Sequence, residues 1–91
     1  KYTSTNDKAI QLYEEAMQVY LQKRYEDAVD LLEQARKKDK KFVEVYLQLA
    51  TIYKELEDFE RAERFLDQGR SYLPIAKTPQ LHYDLAQLYY R

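Results

Sequence analysis

The sequence predicts an all-α protein, a right-handed α-solenoid of stacked helix–turn–helix units. Three observations predict it. Residue classes recur at an offset of 34: Ala16 with Ala50, Ala28 with Ala62, Tyr25 with Phe59, Leu32 with Leu66, Gln34 with Gln68 and Arg36 with Arg70. A period of that length marks repeated supersecondary units laid side by side. Apolar residues return at three- and four-residue steps, the signature of helix faces, and no strand-like alternation interrupts them. The 91 residues include one Gly and two Pro, so helices meet few breaks.

The first helix is expected over 7–22. Ala9, Leu12, Ala16 and Val19 form one stripe, and Ile10, Tyr13, Met17 and Tyr20 form a second, about 100° around the axis. Their combined arc is wider than one neighbouring helix covers. Thr5, Asn6 or Asp7 can accept hydrogen bonds from the free N–H groups at its start. Lys23-Arg24 reads as a tight turn. A second helix follows over 25–38, burying Ala28, Leu31, Leu32 and Ala35, with Arg36, Lys37 and Lys38 complementing the negative end of its dipole. The third helix, over 43–56, carries Val43, Tyr46, Leu49, Ala50 and Tyr53. Asp58 caps a fourth, over 59–72, with Ala62, Phe65, Leu66 and Gly69 on its inner side. Leu73-Pro74 ends it, because proline cannot continue the ladder. Thr78-Pro79 opens a fifth, over 80–91, by a hydroxyl cap and a proline at the first helical position. The chain is therefore one domain: repeat one over 9–42, repeat two over 43–76, and a partial third repeat or capping helix over 79–91.

Composition narrows the function. Hydrophobic residues make up 45% and charged residues 34%, which suits a folded domain. With no Cys, disulfides and thiolate metal sites are excluded. A net charge of −1 gives no bulk attraction for nucleic acid or membrane. No stretch approaches the roughly 20 apolar residues of a membrane span. The chain opens at Lys1 and reads as part of a longer protein; no compartment is assigned, with the cytoplasm slightly favoured.

The repeat resembles the tetratricopeptide repeat. That family's small residue in the first helix of each pair matches Ala16, Ala50 and Ala86, and a tyrosine three residues on matches Tyr53 and Tyr89, with Val19 in the first copy. Its aromatic at the start of the second helix matches Tyr25 and Phe59. Its later small residues match Ala28 and Ala62, then Ala35 and Gly69. Two positions depart: Lys40 stands where Pro74 closes the second repeat, and Lys23 and Glu57 replace the turn glycine. The physical logic is that small residues let helices approach while Leu12, Tyr25, Leu32, Tyr46, Phe59 and Leu66 fill the remaining space. A bulky residue at Ala28 or Ala62 should cost about 1–3 kcal/mol.

The resemblance implies a non-catalytic protein–protein interaction module whose first helices line a concave groove. Carried over, that groove is Ile10, Tyr13, Met17, Tyr20 and Leu21, then Glu44, Leu47, Thr51, Lys54 and Glu55, then Gln80, Tyr83, Gln87 and Tyr90. Tyr and Met suit adaptable docking of an apolar or aromatic peptide, or of a partner helix, from another protein; the competing reading makes part of the tyrosine set core. The groove lacks the cation set with which some relatives grip a terminal carboxylate: Tyr13, Met17, Gln48, Gln80 and Asp84 occupy those places. No chaperone-tail binding is expected.

Catalytic chemistry finds little support. His82 is the single histidine and replaces Tyr46 in the repeat alignment, so packing is the expected role. Glu14/Glu15 and Glu55/Glu57 read as solvated helix faces, and Arg36 to Lys41 as a basic helix end. No catalytic residue, metal site or cofactor is expected. The alternative function is self-association, as a dimer or swapped assembly, through Leu81, Leu85, Leu88 and Tyr89, because a terminal helix normally shows a polar outer face.

Overall fold

The computed structural model describes residues 2–73. They form four helices: α1 (Asp7–Leu21), α2 (Tyr25–Lys38), α3 (Val43–Glu55) and α4 (Phe59–Ser71). α1 packs on α2, α3 on α4, and α2 on α3, so two helical hairpins lie side by side. The fifth helix expected from the sequence lies outside the described residues.

Three of the four helix starts, those of α1, α3 and α4, have a side-chain cap. Asn6 caps α1, its side-chain oxygen accepting from the Ala9 N–H at 2.9 Å. Asp58 caps α4 by accepting from the Arg61 N–H at 3.2 Å. α3 has no cap from its own flank, since Phe42 holds the capping position. Its first N–H, of Val43, donates instead to the Thr3 hydroxyl at 2.9 Å. A residue forty positions upstream supplies the cap.

The two intra-repeat turns are copies of one another. Lys23 and Glu57 both adopt left-handed backbone, with φ of 62° and 61°. In the first turn, the Lys23 N–H donates to Tyr20 C=O at 2.8 Å and the Arg24 N–H to Val19 C=O at 3.3 Å. In the second, the Glu57 N–H donates to Lys54 C=O at 3.0 Å and the Asp58 N–H to Tyr53 C=O at 2.8 Å. This is the paired closure that ends a helix on a left-handed residue, usually glycine. Here two side-chain-bearing residues take that conformation, so the turn survives the loss of the glycine.

The core follows the small-residue logic, except that Phe59, expected to fill the space between helices, is 61% exposed and Tyr25 is only half-buried. Ala9, Ala16, Ala28, Ala35, Ala50 and Ala62 are all buried, with Leu12, Leu32, Leu49 and Leu66 filling the space between helices. Ala16 and Ala50, the matched positions of α1 and α3, are 0% and 1% exposed. Gly69 is needed for a closer approach than alanine allows: a Cβ there would lie 3.0 Å from the Tyr46 Cβ. Tyr46 is held from its other end by donating to the Lys40 C=O at 2.6 Å. Phe65 stacks on Tyr53 with centroids 5.7 Å apart, closing the α3–α4 hairpin.

Candidate partner-binding face

The α1 residues of the expected groove share one side of that helix. Ile10, Tyr13, Met17 and Tyr20 are half-buried, and Ile10, Tyr13 and Tyr20 also pack on the core. Both readings of the tyrosines therefore hold in part: the rings are neither fully core nor fully free. Leu21 is 70% exposed. On α3, Leu47, Thr51 and Lys54 are half-buried, with Leu47 against the core and the Thr51 hydroxyl donating back to Leu47 C=O at 3.0 Å. Gln80, Tyr83, Gln87 and Tyr90 lie outside the described residues. So do His82 and the candidate self-association residues Leu81, Leu85, Leu88 and Tyr89.

A carboxylate of α3 stands at each end of this face. At one end Glu55 accepts the hydroxyls of Tyr20 and Tyr25, each at 2.6 Å. Those two donations hold the Glu55 carboxyl below its usual range. Burial, then the same hydrogen bond, pushes Tyr20 up to about 12. Glu55 is thus a tie between repeats, made on an exposed helix face as the solvated-face reading expects.

At the other end Glu44 is buried, at 8% exposure. Its oxygens accept the Thr3 N–H at 3.2 and 3.1 Å and the Thr3 hydroxyl at 2.6 Å. Tyr13 lies beside it, its ring 5.4 Å from Tyr2 and 5.2 Å from Phe42. Burial first, and the Glu44 charge second, push the Tyr13 hydroxyl up to about 12. The Tyr2 hydroxyl donates to Glu14 at 3.0 Å, and Tyr2 borders a shallow depression with Glu14, Met17 and Gln18.

Tyr2, Thr3, Ser4 and Phe42 were not among the sequence-derived site residues. The run of hydroxyls in Tyr2-Thr3-Ser4-Thr5 is the one signal that points to them. It has no 34-residue counterpart, and its partners lie 12 to 41 positions away.

Among the described residues no cluster of His, Asp and Glu could hold a metal ion. No helix among them is long and apolar enough to cross a membrane.

This geometry, two hairpins of matched helices closed by matched turns, defines a helical-repeat protein. A family model of the tetratricopeptide repeat matches residues 19–74, more than half of the chain. The chain belongs to the tetratricopeptide repeat family, whose repeats generally mediate protein–protein interactions and are typically non-catalytic. No curated protein and no solved structure matches it.

Proposed function

We propose that the face shared by α1 and α3 docks an extended segment of a partner protein, with Ile10, Tyr13, Met17 and Tyr20 on one side and Leu47, Thr51 and Lys54 on the other. The observation that carries this reading is the matched pair of half-buried rows. Tyr13 and Leu47, then Met17 and Thr51, occupy equivalent repeat positions on neighbouring first helices, and all four keep exposed area. Rings and a thioether supply contact area with few rotors. Glu44 and Glu55 border the face, and Glu14 stands beside Tyr2. The segment it suits carries apolar or aromatic side chains and hydrogen-bond donors, and no carboxylate cluster. The face acts by binding, with no bond made or broken.

The test uses complexes of the parent protein. Met17→Glu and Tyr13→Ala should each weaken the partner by about tenfold or more, the effect of losing a central contact residue. Asp30→Arg, on the exposed side of α2, should leave binding unchanged. Equal affinity across all three variants, with helix content intact, overturns the reading.

A further inference from the structure

Three consecutive side chains near the start of the chain each donate a hydroxyl to a carboxylate on a different element. Tyr2 donates to Glu14 of α1 at 3.0 Å, Thr3 to Glu44 of α3 at 2.6 Å, and Ser4 to Asp39 of the α2–α3 connection at 2.5 Å. The Asn6 side-chain amide adds a bond to Lys38 C=O at 3.3 Å. The Tyr2 ring meets Tyr13 and Phe42 edge-on, with centroids 5.4 and 5.8 Å away. The segment bends at Thr3 and enters α1 through Asn6, whose backbone is extended at φ −79° and ψ 112°. It therefore presents what a docked peptide would present: a ring on a ring, a backbone N–H on a buried carboxylate, and a hydroxyl beside it.

We infer that Tyr2–Ser4 is an internal occupant of the docking face, and that a partner segment bearing an aromatic residue followed by Thr or Ser competes with it for Tyr13, Phe42 and Glu44. This rests on the docking role of the α1/α3 face and names the chemistry that one end of it reads. Tyr13 and Glu44 both belong to the groove positions, so no partner reaches that end while Tyr2 and Thr3 hold it. Glu44 sets the selectivity. It is buried, and its bonds to Thr3 lie in the part-buried interior, so an occupant that fails to donate leaves a desolvated carboxylate without a partner. Glu14, Glu44 and Asp39 together repel an acidic or phosphorylated segment, because a phosphate adds about −1.5 to −2 charge and removes the hydroxyl donor. The attachment is local. The Tyr2 bond to Glu14 and the Asn6 bond to Lys38 are exposed, and those of Thr3 and Ser4 to Glu44 and Asp39 are part-buried. Release costs a few hydrogen bonds, the Thr3 cap on Val43 among them, and two ring contacts, and leaves the hairpins standing.

The experiment compares the wild-type chain with its Tyr2→Ala/Thr3→Ala variant. Both are titrated with a capped synthetic peptide of residues 1–6 and followed by amide chemical shifts. Peptide binding to the variant should shift Phe42, Val43, Glu44 and Tyr13, and the wild type should need roughly tenfold more peptide, since its competent fraction is small. The same peptide phosphorylated at Thr3 should shift neither protein. Equal response of wild type and variant overturns the inference. So does a variant that keeps its helical circular dichroism yet shows no shift at Phe42 to Glu44. Shifts confined to Met17, Leu47 and Thr51 also overturn it, while leaving the docking face in place. A second readout covers loss of fold in the double variant: in full-length Glu44→Gln, the Thr3 amide should exchange with solvent at least about tenfold faster than in wild type, as expected once local opening becomes easier. An unchanged Thr3 rate overturns the inference as well.

Discussion

Tyr20 on α1 donates its hydroxyl to Glu55 on α3 at 2.6 Å, across thirty-five residues of chain. Tyr25 donates to the other oxygen of the same carboxylate at 2.6 Å, so one acidic side chain ties the end of the first hairpin to the end of the third helix. Both donations favour the ionised form, and the Glu55 carboxyl lies below its ordinary value of 4.5. A depressed carboxylate contributes stability above the unfolded value and loses it as pH falls through the folded one. Carboxyl shifts followed against pH should therefore place the Glu55 midpoint below 4.5 in the wild type. In Tyr20→Phe/Tyr25→Phe it should move back up toward that value. An unmoved midpoint would contradict the tie.

The alkaline limb has the opposite sign. Tyr13 and Tyr20 are both pushed from 10.0 up to about 12, first by burial. The folded state thus favours the protonated phenol. Its contribution is fully present below pH 10 and is lost as pH rises toward about 12. Tyrosinate absorbance against pH should show these two rings ionising well above pH 10 and together with helix loss. Their ionisation at pH 10 in a folded chain would contradict the packing described for both.

The turns supply a stability test. Left-handed backbone costs a side-chain-bearing residue roughly 1–2 kcal/mol, and glycine avoids most of that at the cost of a freer unfolded chain. Lys23→Gly and Glu57→Gly should each raise the unfolding free energy by about 0.5–1 kcal/mol. The two gains should add, because the turns lie in different repeats. Urea denaturation measures both. A drop in the midpoint would mean that the side chains hold the turn.

The borrowed cap gives a fourth expectation. Thr3→Val keeps shape but removes the acceptor for the Val43 N–H and the hydroxyl donor to Glu44. The loss should be about 1–2 kcal/mol, from a lost cap and a weakened partner for a buried carboxylate. Amide exchange should quicken most at Val43 and Glu44. Uniform quickening across all four helices would assign Thr3 a global role instead.

Much of this fold was legible in the chain. The helix starts at Tyr25, Val43 and Phe59 stand where the periodicity puts them, because small residues at Ala16, Ala28, Ala50 and Ala62 and large ones between them admit one packing. The ends fell short by a residue at Gln22, Leu56 and Tyr72, where the chain leaves the helix for a cap. The left-handed turns carried no glycine to announce them. The site was legible only in outline. Repeat offset placed Tyr13, Met17, Leu47 and Thr51, since it fixes which side of a helix a residue occupies. It did not reveal Thr3 on Glu44 or Tyr20 on Glu55, because contacts that bridge two repeats obey no period. Glu44 in particular read as one more groove-lining residue, and its burial rests on a segment with no counterpart in the second repeat.

The most direct test of the docking face is a shift map. Extended peptides are selected from a random library on the folded chain, and the tightest is titrated into the labelled protein. Amide and methyl shifts should concentrate at Ile10, Tyr13, Met17, Leu47 and Thr51, and the peptide should lose about tenfold or more in affinity for Met17→Glu. Shifts centred on the exposed sides of α2 and α4, at Asp30, Gln34, Glu63 and Asp67, with full affinity for Met17→Glu, would contradict it.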